Sequence, residues 1–377
     1  MGARSSTAKI AEKNPFLAAL VSEARGAGLQ YYSDTRPGIR RRPRGKEFVF
    51  VNPDGSRVTD QATLVRIKRL AIPPAWENVW ICPSEDGHIQ ATGRDARRRK
   101  QYRYHAEWRK QRDENKFGRI LAFARALPGI RRAVKRDLAR AGMPREKVLA
   151  TVVRLLETTL IRIGNDEYAR QNRSYGLTTM RDHHVKVSGE KISFSFRGKS
   201  GKQHTIDVTD RHLAKIVKHC QDLPGQELFG YVDDKGEHRD VTSQDVNDYL
   251  RAIAGEDFTA KDFRTWTGTV LAAMALREFQ QVTSKAQAKK NVVAAIESVA
   301  KLLGNTPAVC RKCYVHPEIL DSYLQGTTVD TLDQQVRKTI DRSLPKLSPE
   351  EALVVGFLEG RLRTARNKSP RFEISNQ

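Results

Sequence analysis

The chain is poor in cysteine and in long apolar runs, which excludes two broad classes of protein. Four cysteines in 377 residues are too few for a disulfide-built domain, and free thiols in a reducing compartment account for them. Cys310 and Cys313 form one C-x-x-C, but no second pair stands nearby to complete a structural zinc site. The best apolar stretch, Val270–Leu276, is far shorter than the ~18 residues of a membrane helix. We therefore expect a cytoplasmic protein without a membrane span or a structural metal.

The common signatures of nucleotide and metal chemistry are also missing. The sequence has no Walker loop, no G-x-G-x-x-G, no H-E-x-x-H and no cluster of closely spaced carboxylates. A phosphoryl-transfer enzyme without these features has few routes left. One route is covalent catalysis by a side-chain hydroxyl, with cationic side chains in place of a metal. We expect such an enzyme to require neither ATP nor a catalytic metal.

Acidic residues are outnumbered, with 44 Asp and Glu against 67 Lys and Arg, which gives a formal net charge of +23. The stretch Ala91–Arg145 alone holds 18 basic and five acidic residues, a net charge of +13. A second basic cluster consists of Arg36, Arg40, Arg41, Arg42, Arg44 and Lys46. This surplus indicates a polyanionic partner, with nucleic acid as the first expectation.

Aromatic residues alternate with basic ones early in the Ala91–Arg145 stretch. The segment reads Arg97-Arg98-Arg99-Lys100-Gln101-Tyr102-Arg103-Tyr104. Cations that neutralise phosphates, interleaved with rings and an amide, suit a surface that follows a nucleic-acid backbone. The period of two predicts a strand with both tyrosines on one face. Nucleic-acid contact is favoured here over an ordinary solvated surface.

The first hundred residues are typical of an α+β domain. Helices are predicted over Phe16–Arg25 and Asp60–Leu70. Short strands are predicted at Leu29–Tyr32, Phe48–Val51, Val79–Cys82 and His88–Thr92. A long helix over His105–Ala126 follows. We therefore predict a β-rich domain over residues 1–106 and a mainly helical domain over residues 107–377.

The second domain is predicted as a helical body with a small β insertion. Strands are predicted at Val185–Val187, Ile192–Phe196 and His204–Val208, with a turn over Gly198–Lys202. Thr259 and Asp262 have the spacing of a capping box, which predicts that an apolar helix begins there. Further helices are predicted over Pro144–Ile163, Asn291–Leu303, Pro317–Gln325 and Pro349–Arg363.

Four ordered motifs of this domain resemble one family. They are Ile161-Arg162-Ile163-Gly164, Phe196-Arg197-Gly198-Lys199, Lys261-Asp262-Phe263-Arg264-Thr265, and Gly304-Asn305-Thr306-Pro307 followed by Arg311-Lys312-Cys313-Tyr314. Lys199 follows Arg162 by 37 residues and Tyr314 follows Asn305 by nine. In sequence and spacing the chain, from about Leu29 to Tyr323, is similar to the small type IB DNA topoisomerases, the poxvirus-like and bacterial members.

The resemblance implies a reaction and a set of catalytic residues. Tyr314 would be the nucleophile that forms a 3′-phosphotyrosyl link, and Arg162 and Arg264 would bind the non-bridging phosphate oxygens. Lys199 would be the general acid for the leaving 5′-oxygen, although Lys202 in the same turn is the alternative. Asn305 stands where many relatives carry His, so a neutral donor is expected there.

The resemblance also implies how DNA is held. Lys261 would be a further assisting cation. The DNA contacts would be Arg99, Lys100, Gln101, Tyr102, Tyr104 and Tyr168. The domain over residues 1–106 would bind DNA, and the domain over residues 107–377 would carry the catalytic residues. Together they would form a C-shaped clamp around duplex DNA. The protein would act as a monomer associated with the nucleoid and would relax supercoils by cleavage, rotation and religation.

Two other functions stay open at the level of sequence. A tyrosine recombinase shares the nucleophile and the arginines but usually has His-x-x-Arg, where this chain has Lys261-x-x-Arg264. A non-enzymatic DNA-packaging protein would use the same net charge. The ordered motifs favour relaxation over both alternatives.

Overall fold

The computed structural model describes residues 15–45, 47–96, 98, 100–233, 235–279, 284–331 and 347–368. The chain divides into two compact units, Met1–Phe117 and Gly118–Gln377. The division falls inside one long helix, Ala106–Leu138. Helices and open sheets occur together, so the predicted α+β class is confirmed.

The first unit is built on a five-stranded antiparallel sheet with the order β2-β1-β3-β4-β5. The strands are β1 Ile39–Arg44, β2 Glu47–Val51, β3 Glu77–Ile81, β4 Ile89–Arg94 and β5 Lys100–Tyr104. The helices are α1 Pro15–Gly26 and α2 Gln61–Arg69, followed by α3 Ala106–Leu138, which continues into the second unit. Asp60 caps α2 by accepting from the Thr63 N–H at 2.7 Å.

The register gives each face of this sheet a different character. Ile39, Ile81 and Ala91 are cross-strand neighbours and are buried against Ile67 of α2. The opposite face carries the row Arg40, Trp80, Thr92 and Tyr102, which are also cross-strand neighbours. Arg40 and Tyr102, at the two ends of this row, are exposed. Trp80 and Thr92, in the middle of the row, are buried, so this face is open to solvent only at the basic Arg40 and the aromatic Tyr102.

One strand predicted for the first unit is wrong, and one strand of the unit was not predicted. Leu29–Tyr32 is not a strand, and only Gln30 forms a bridge, with Gly87. Leu29 instead packs into a small core with Ala24 and Trp108. Strand β1, in contrast, lies in the arginine-rich cluster, where hydrophobic alternation does not reveal it.

The inward arginine of β1 shows why that strand is stable. Arg41 points to the α2 side and donates to the carbonyls of Pro73 at 3.1 Å and Pro74 at 3.2 Å. Its guanidinium also lies 4.2 Å from the Phe48 ring centroid. The Arg41 guanidinium is thus bound by groups of the protein itself, whereas the neighbouring Arg40 and Arg42 are exposed to solvent.

The second unit is mainly helical. After α3, its helices are α4 Arg145–Thr159, α5 Asp166–Asn172, α6 Arg211–Gln221, α7 Ser243–Ala254, α8 Ala260–Arg277, α9 Lys285–Leu302, α10 Pro307–Tyr314, α11 Pro317–Leu324 and α12 Pro349–Lys368. One large apolar core joins most of them. Each helix predicted for this unit is confirmed, but several bounds differ. Helix α3 ends twelve residues after the predicted Ala126, α9 begins six residues before the predicted Asn291, and α4 is shorter than predicted. Helices α5, α6, α7 and α10 were not predicted.

The predicted helix Pro144–Ile163 is too long at its C-terminal end. Helix α4 ends at Thr159 because Leu160 takes the left-handed conformation, with φ of 58°. A branched residue rarely adopts this conformation. The Leu160 carbonyl accepts a hydrogen bond from the Arg264 guanidinium, which helps to hold the break. The chain then turns and extends through Arg162.

The β insertion is a three-stranded antiparallel sheet, β6 Val185–Ser188, β7 Lys191–Arg197 and β8 Gln203–Thr209. A short turn that includes Lys199–Gly201 joins β7 to β8, as predicted. A separate two-stranded pair, β9 Gly230–Val232 and β10 His238–Asp240, lies further along the chain. The β7–β8 turn presents Lys199 at an exposed position.

Helix α12 is held to the unit by a partly buried ion-pair group. Glu351 accepts from Arg131 at 2.8 Å and from the Trp266 indole at 3.1 Å, and Arg131 also pairs with Glu157 at 2.6 Å. Arg131 satisfies two carboxylates at once, so the burial of these charges is compensated. Trp266 belongs to α8, the helix that also carries Arg264.

Candidate active site

Tyr314 is the last residue of α10, and its backbone is held tightly against α8. A β-carbon added to Gly268 would lie 2.5 Å from the Tyr314 carbonyl oxygen and 3.1 Å from its Cβ. Only glycine allows the two helices to come this close. The next residue, Thr269, donates its hydroxyl to the Thr265 carbonyl at 2.8 Å, and this hydroxyl lies 3.4 Å from the Tyr314 carbonyl oxygen and accepts from the His316 N–H at 3.1 Å. The tyrosine backbone is thus fixed from one side.

Gly268→Ala is expected to slow DNA cleavage by about 10²-fold, because the added methyl forces the Tyr314 backbone away from α8. The measurement is the single-turnover rate at which the enzyme becomes linked to a labelled duplex. Alanine is the better helix former by about 1 kcal/mol, so a weaker helix would not explain the loss.

The matched control for Gly268→Ala is Gly129→Ala in the middle of α3. A β-carbon there would meet only the Arg132 guanidinium, at an ordinary 3.8 Å. This control should keep the cleavage rate of the unmodified protein. A Gly268→Ala protein that cleaves at full rate would show that the close approach is not needed.

Arg264 is placed by the start of α8. Thr259 and Asp262 form the predicted capping box, in which the Asp262 carboxylate accepts from the Thr259 N–H at 2.8 Å. The Arg264 side chain is buried and only 4% exposed. It donates to the Leu303 carbonyl at 2.6 Å and to the Leu160 carbonyl. Two carbonyls at the ends of two other helices therefore orient this guanidinium.

Arg162 follows the left-handed break after α4 and is held from behind by the segment that starts at Gly176. The Leu177 N–H donates to the Arg162 carbonyl at 2.9 Å. A β-carbon on Gly176 would lie 2.5 Å from that same carbonyl. The guanidinium donates in turn to the Asn305 side-chain oxygen. Arg162 and Asn305 lie far apart in the sequence and meet here.

Arg162, Arg264 and Tyr314 form one electrostatic group. The Arg264 guanidinium lies 5.2 Å from the centroid of the Tyr314 ring. Burial lowers the pKa of both guanidinium groups, and the nearby Arg162 cation lowers that of Arg264 further, to about 10. The Tyr314 oxygen opposes this effect at both arginines. Both side chains keep their positive charge at neutral pH.

No carboxylate balances this pair of cations. Within the described part of the chain, neither Arg162 nor Arg264 forms an ion pair. Two adjacent cations taken out of water without a counter-ion are costly to the fold. The arrangement is the one expected of a site that receives an anion from outside the protein.

Two buried hydrogen-bond donors of the group are left unused. Because an arginine can only donate, the amide oxygen of Asn305 must face Arg162, which leaves Asn305 Nδ2 pointing elsewhere. This nitrogen and the Nε of Arg264 are buried and have no hydrogen-bond partner among the described residues. Unsatisfied buried donors are rare in folded proteins.

The predicted lysines lie at the surface near this group. Lys199 in the β7–β8 turn and Lys261 in the first turn of α8 are exposed. Neither ammonium group has a hydrogen-bond or ion-pair partner among the residues that the structure describes. Lys202, the alternative to Lys199, donates to the Asn305 carbonyl at 3.4 Å. Lys202 is thus engaged with the protein, whereas Lys199 is available.

The residues predicted to contact DNA fall in both units. In the first, Tyr102 and Tyr104 stack on one face of β5, with ring centroids 5.8 Å apart, as the alternation predicts. Tyr102 is 44% exposed, and Tyr168 on α5 of the second unit is 53% exposed. Lys100 pairs with Asp34 at 2.7 Å.

Gln101 and Arg99 are the other two residues predicted to contact DNA. The Gln101 amide donates to Asp95 at 2.9 Å and is half-buried. Arg99 lies outside the described residues. The neighbouring Arg103 faces the α2 side, where it donates to the Ala71 carbonyl at 3.0 Å and lies 5.5 Å from the Trp76 ring centroid.

The described residues offer no group of three or more His, Cys, Asp or Glu side chains that could hold a metal ion. The four cysteines, all within the described ranges, form no disulfide bond. Over the same ranges, no single helix has the length and apolar character to cross a membrane, and α9 with α10 reaches that level only as a pair bent by 91°.

Sequence reasoning missed the residues that support the site. Gly268, Thr269 and Gly176 act through backbone contacts. His204 is a further such residue, and burial, together with the charges of both arginines, lowers its pKa. One local signal existed: Gly268 is a glycine inside an apolar helix, one turn after Arg264. Such a glycine often marks a close approach of another backbone.

Comparison with known proteins agrees with this geometry. The family described as eukaryotic DNA topoisomerase I, catalytic core, matches residues 105–342, and the bacterial DNA topoisomerase IB N-terminal domain matches residues 47–95. DNA topoisomerase 1B of Acanthamoeba polyphaga mimivirus is 33% identical over 293 residues, 76% of this chain and 87% of that protein. DNA topoisomerase 1B of vaccinia virus (strain Copenhagen) is 22% identical over 261 residues, 66% of this chain and 78% of that protein.

The fold and the site thus define an enzyme that acts on DNA. The chain belongs to the type IB DNA topoisomerases. It is a DNA-binding isomerase whose substrate is duplex DNA, and the sequence-based prediction of this family and activity is confirmed.

Proposed function

We propose that this topoisomerase relaxes supercoiled duplex DNA through a covalent link between Tyr314 and the 3′ end of one cut strand. The Tyr314 oxygen attacks a backbone phosphorus, the new P–O bond forms, and the bond to the 5′-oxygen breaks. The phenol proton passes to water, and the leaving oxygen takes a proton from the Lys199 ammonium. The freed 5′-hydroxyl strand rotates and then attacks in reverse.

The observation that carries this proposal is the pair formed by the buried Arg264 and the half-buried Arg162, which has no carboxylate partner among the described residues and lies beside Tyr314. In the transition state of phosphoryl transfer, charge concentrates on two non-bridging oxygens. Each guanidinium offers a rigid fork of N–H donors that suits those oxygens. The unused Nδ2 of Asn305 supports a third donor to the same phosphate.

Lys199 and Lys261 are exposed, and we propose that both act on the phosphate of bound DNA. Lys199 sits in the β7–β8 turn, and its free ammonium is suited to close onto bound DNA and protonate the leaving oxygen. An alkoxide leaves poorly without a proton, so a general acid belongs at this point. Lys261 is proposed to add positive charge near the phosphate.

DNA binding is proposed to use both parts of the chain. We assign the grip on duplex to residues 1–106, through Arg99, Lys100, Gln101, Tyr102 and Tyr104, and the chemistry to residues 107–377, where Tyr168 adds a contact. The exposed Tyr102 and the row that ends in Arg40 support this role for the first unit. The two parts would close as a C-shaped clamp in a monomer. Since its substrate is duplex DNA, we place it on the nucleoid.

The proposed reaction needs no ATP, because the phosphotyrosyl ester conserves the energy of the cut bond. It needs no metal, because the guanidinium groups balance the phosphate charge. Supercoiled plasmid mixed with the protein in EDTA, without nucleotide, should become relaxed. The measurement is the distribution of topoisomers on an agarose gel over time.

Three results of this experiment would contradict the proposal. Relaxation that stops in EDTA and returns with a divalent ion would contradict the role given to the arginines. Site-dependent strand exchange would point to recombinase chemistry, and gel retardation without relaxation would point to packaging.

A further inference from the structure

His204 of β8 occupies a narrow space between two glycines next to the proposed site. A β-carbon added to Gly198 would lie 2.6 Å from His204 Cδ2, and one added to Gly304 would lie 2.6 Å from His204 Cε1. The imidazole also stacks on Phe196, with centroids 5.3 Å apart and planes at 17°. Both glycine positions must lack a side chain for the ring to fit.

The two glycines come directly before two residues of the proposed machinery. Gly198 precedes Lys199, the proposed general acid, and Gly304 precedes Asn305, the partner of Arg162. The ring therefore separates the β7–β8 turn from the turn between α9 and α10. Gly304 itself has φ of +61°, a conformation that favours glycine.

A second contact joins the same two turns. Lys202 in the hairpin donates to the carbonyl of Asn305 at 3.4 Å. This hydrogen bond is long and therefore weak, so it joins the two turns without setting the distance between them. The flat ring of His204, in contact on both sides, sets the spacing between the turns.

The electrostatic surroundings favour a neutral ring. Burial and the nearby cations of Arg162, Arg264 and Lys202 lower the pKa of His204 below its ordinary value. An imidazolium would add a fourth positive charge to this group, and the neutral ring does not. Among the described residues, its nitrogens have no hydrogen-bond partner. The ring of His204 is therefore held by packing contacts and not by hydrogen bonds.

We propose that His204 is a positioning residue for DNA cleavage, which holds the Lys199 turn at the distance from Asn305 that lets the ammonium reach the leaving 5′-oxygen. This inference rests on the proposed function, in which Lys199 is the general acid. His204 itself need not touch the phosphate. Its effect should therefore appear only where a proton must reach the leaving group.

The test compares two duplex substrates with the His204→Ala protein. One has the ordinary 5′-oxygen at a single cleavable phosphate, and the other has sulfur in that bridging position. A thiolate leaves readily without a proton, so the sulfur substrate does not need the general acid. The measurement is the rate of covalent capture in a single turnover at saturating enzyme, together with duplex affinity.

We expect His204→Ala to slow cleavage of the ordinary substrate by about 10- to 100-fold, a part of the 10²- to 10⁴-fold that general acids contribute. With the sulfur substrate, the cleavage rate of His204→Ala should stay within about threefold of the rate of the unmodified protein, because this substrate needs no general acid. The affinity for duplex DNA should not change. The ratio of the two rates in one preparation does not depend on how much protein is folded. Partial unfolding therefore cannot imitate this result.

Two companion variants separate this inference from the function on which it rests. Lys199→Ala should show the same selective loss, and His219→Ala, an exposed histidine of α6, should cleave both substrates normally. If Lys199→Ala is not rescued by sulfur, the proposed role of Lys199 fails, and the role of His204 with it. If Lys199→Ala is rescued but His204→Ala is slow on both substrates, or normal on both, the inference for His204 alone is overturned.

Discussion

Tyr314→Phe is expected to abolish plasmid relaxation while leaving duplex binding nearly intact. Phenylalanine keeps the ring and its position 5.2 Å from Arg264 but removes the oxygen that attacks phosphorus. Losses on the order of 10⁶-fold follow the removal of a covalent nucleophile in other enzymes. The measurement is relaxation of supercoiled plasmid, with binding followed separately on a short labelled duplex.

The matched control for the nucleophile is Tyr231→Phe on β9. Tyr231 is half-buried beside Arg145, 6.0 Å from its guanidinium, and lies outside the site. Loss of its hydroxyl should leave relaxation unchanged. A Tyr314→Phe protein that still relaxes plasmid would refute the assignment of Tyr314 as nucleophile.

Arg264→Lys is expected to slow DNA cleavage by about 10²- to 10³-fold, the usual effect of removing one pre-placed donor from a transition state. Lysine keeps the positive charge but lacks the planar set of N–H donors that the guanidinium group offers. It cannot reach the Leu160 and Leu303 carbonyls and the phosphate at the same time. The measurement is the single-turnover cleavage rate, since relaxation also depends on rotation and release.

Arg277→Lys on the same helix is the control for this change. Arg277 is exposed and pairs with Asp330 at 2.9 Å, an interaction of the kind that contributes little to stability. This variant should cleave normally. If Arg264→Lys also cleaved at full rate with normal affinity, the guanidinium geometry would not matter, and the proposed mechanism would lose its main support.

Much of this molecule follows from local sequence patterns. The capping box of Thr259 and Asp262 predicts where α8 begins, and this start fixes the position of Arg264 one turn later. The alternation around Tyr102 and Tyr104 predicts a strand with both rings on one face, and the rings stack as expected. These features depend on neighbours within a few residues, so periodicity and capping reveal them.

The features that escaped prediction depend on contacts between distant segments. The left-handed Leu160 is held partly by a bond from Arg264, and no pattern near residue 160 indicates that bond. The fit of Gly268 against Tyr314, and of His204 between Gly198 and Gly304, likewise depends on packing between separate elements. Strand β1 escaped because arginines occupy both of its faces. The catalytic and DNA-contact roles themselves stay predictions.

The most direct test of the account identifies the covalent link itself. The enzyme is mixed with duplex DNA, the reaction is stopped with detergent, and the trapped complex is digested to peptides and nucleotides for mass spectrometry. The account predicts a phosphodiester between Tyr314 and the 3′ end of the cut strand, with a free 5′-hydroxyl on the other side. A link to another residue, or to the 5′ end, would contradict it.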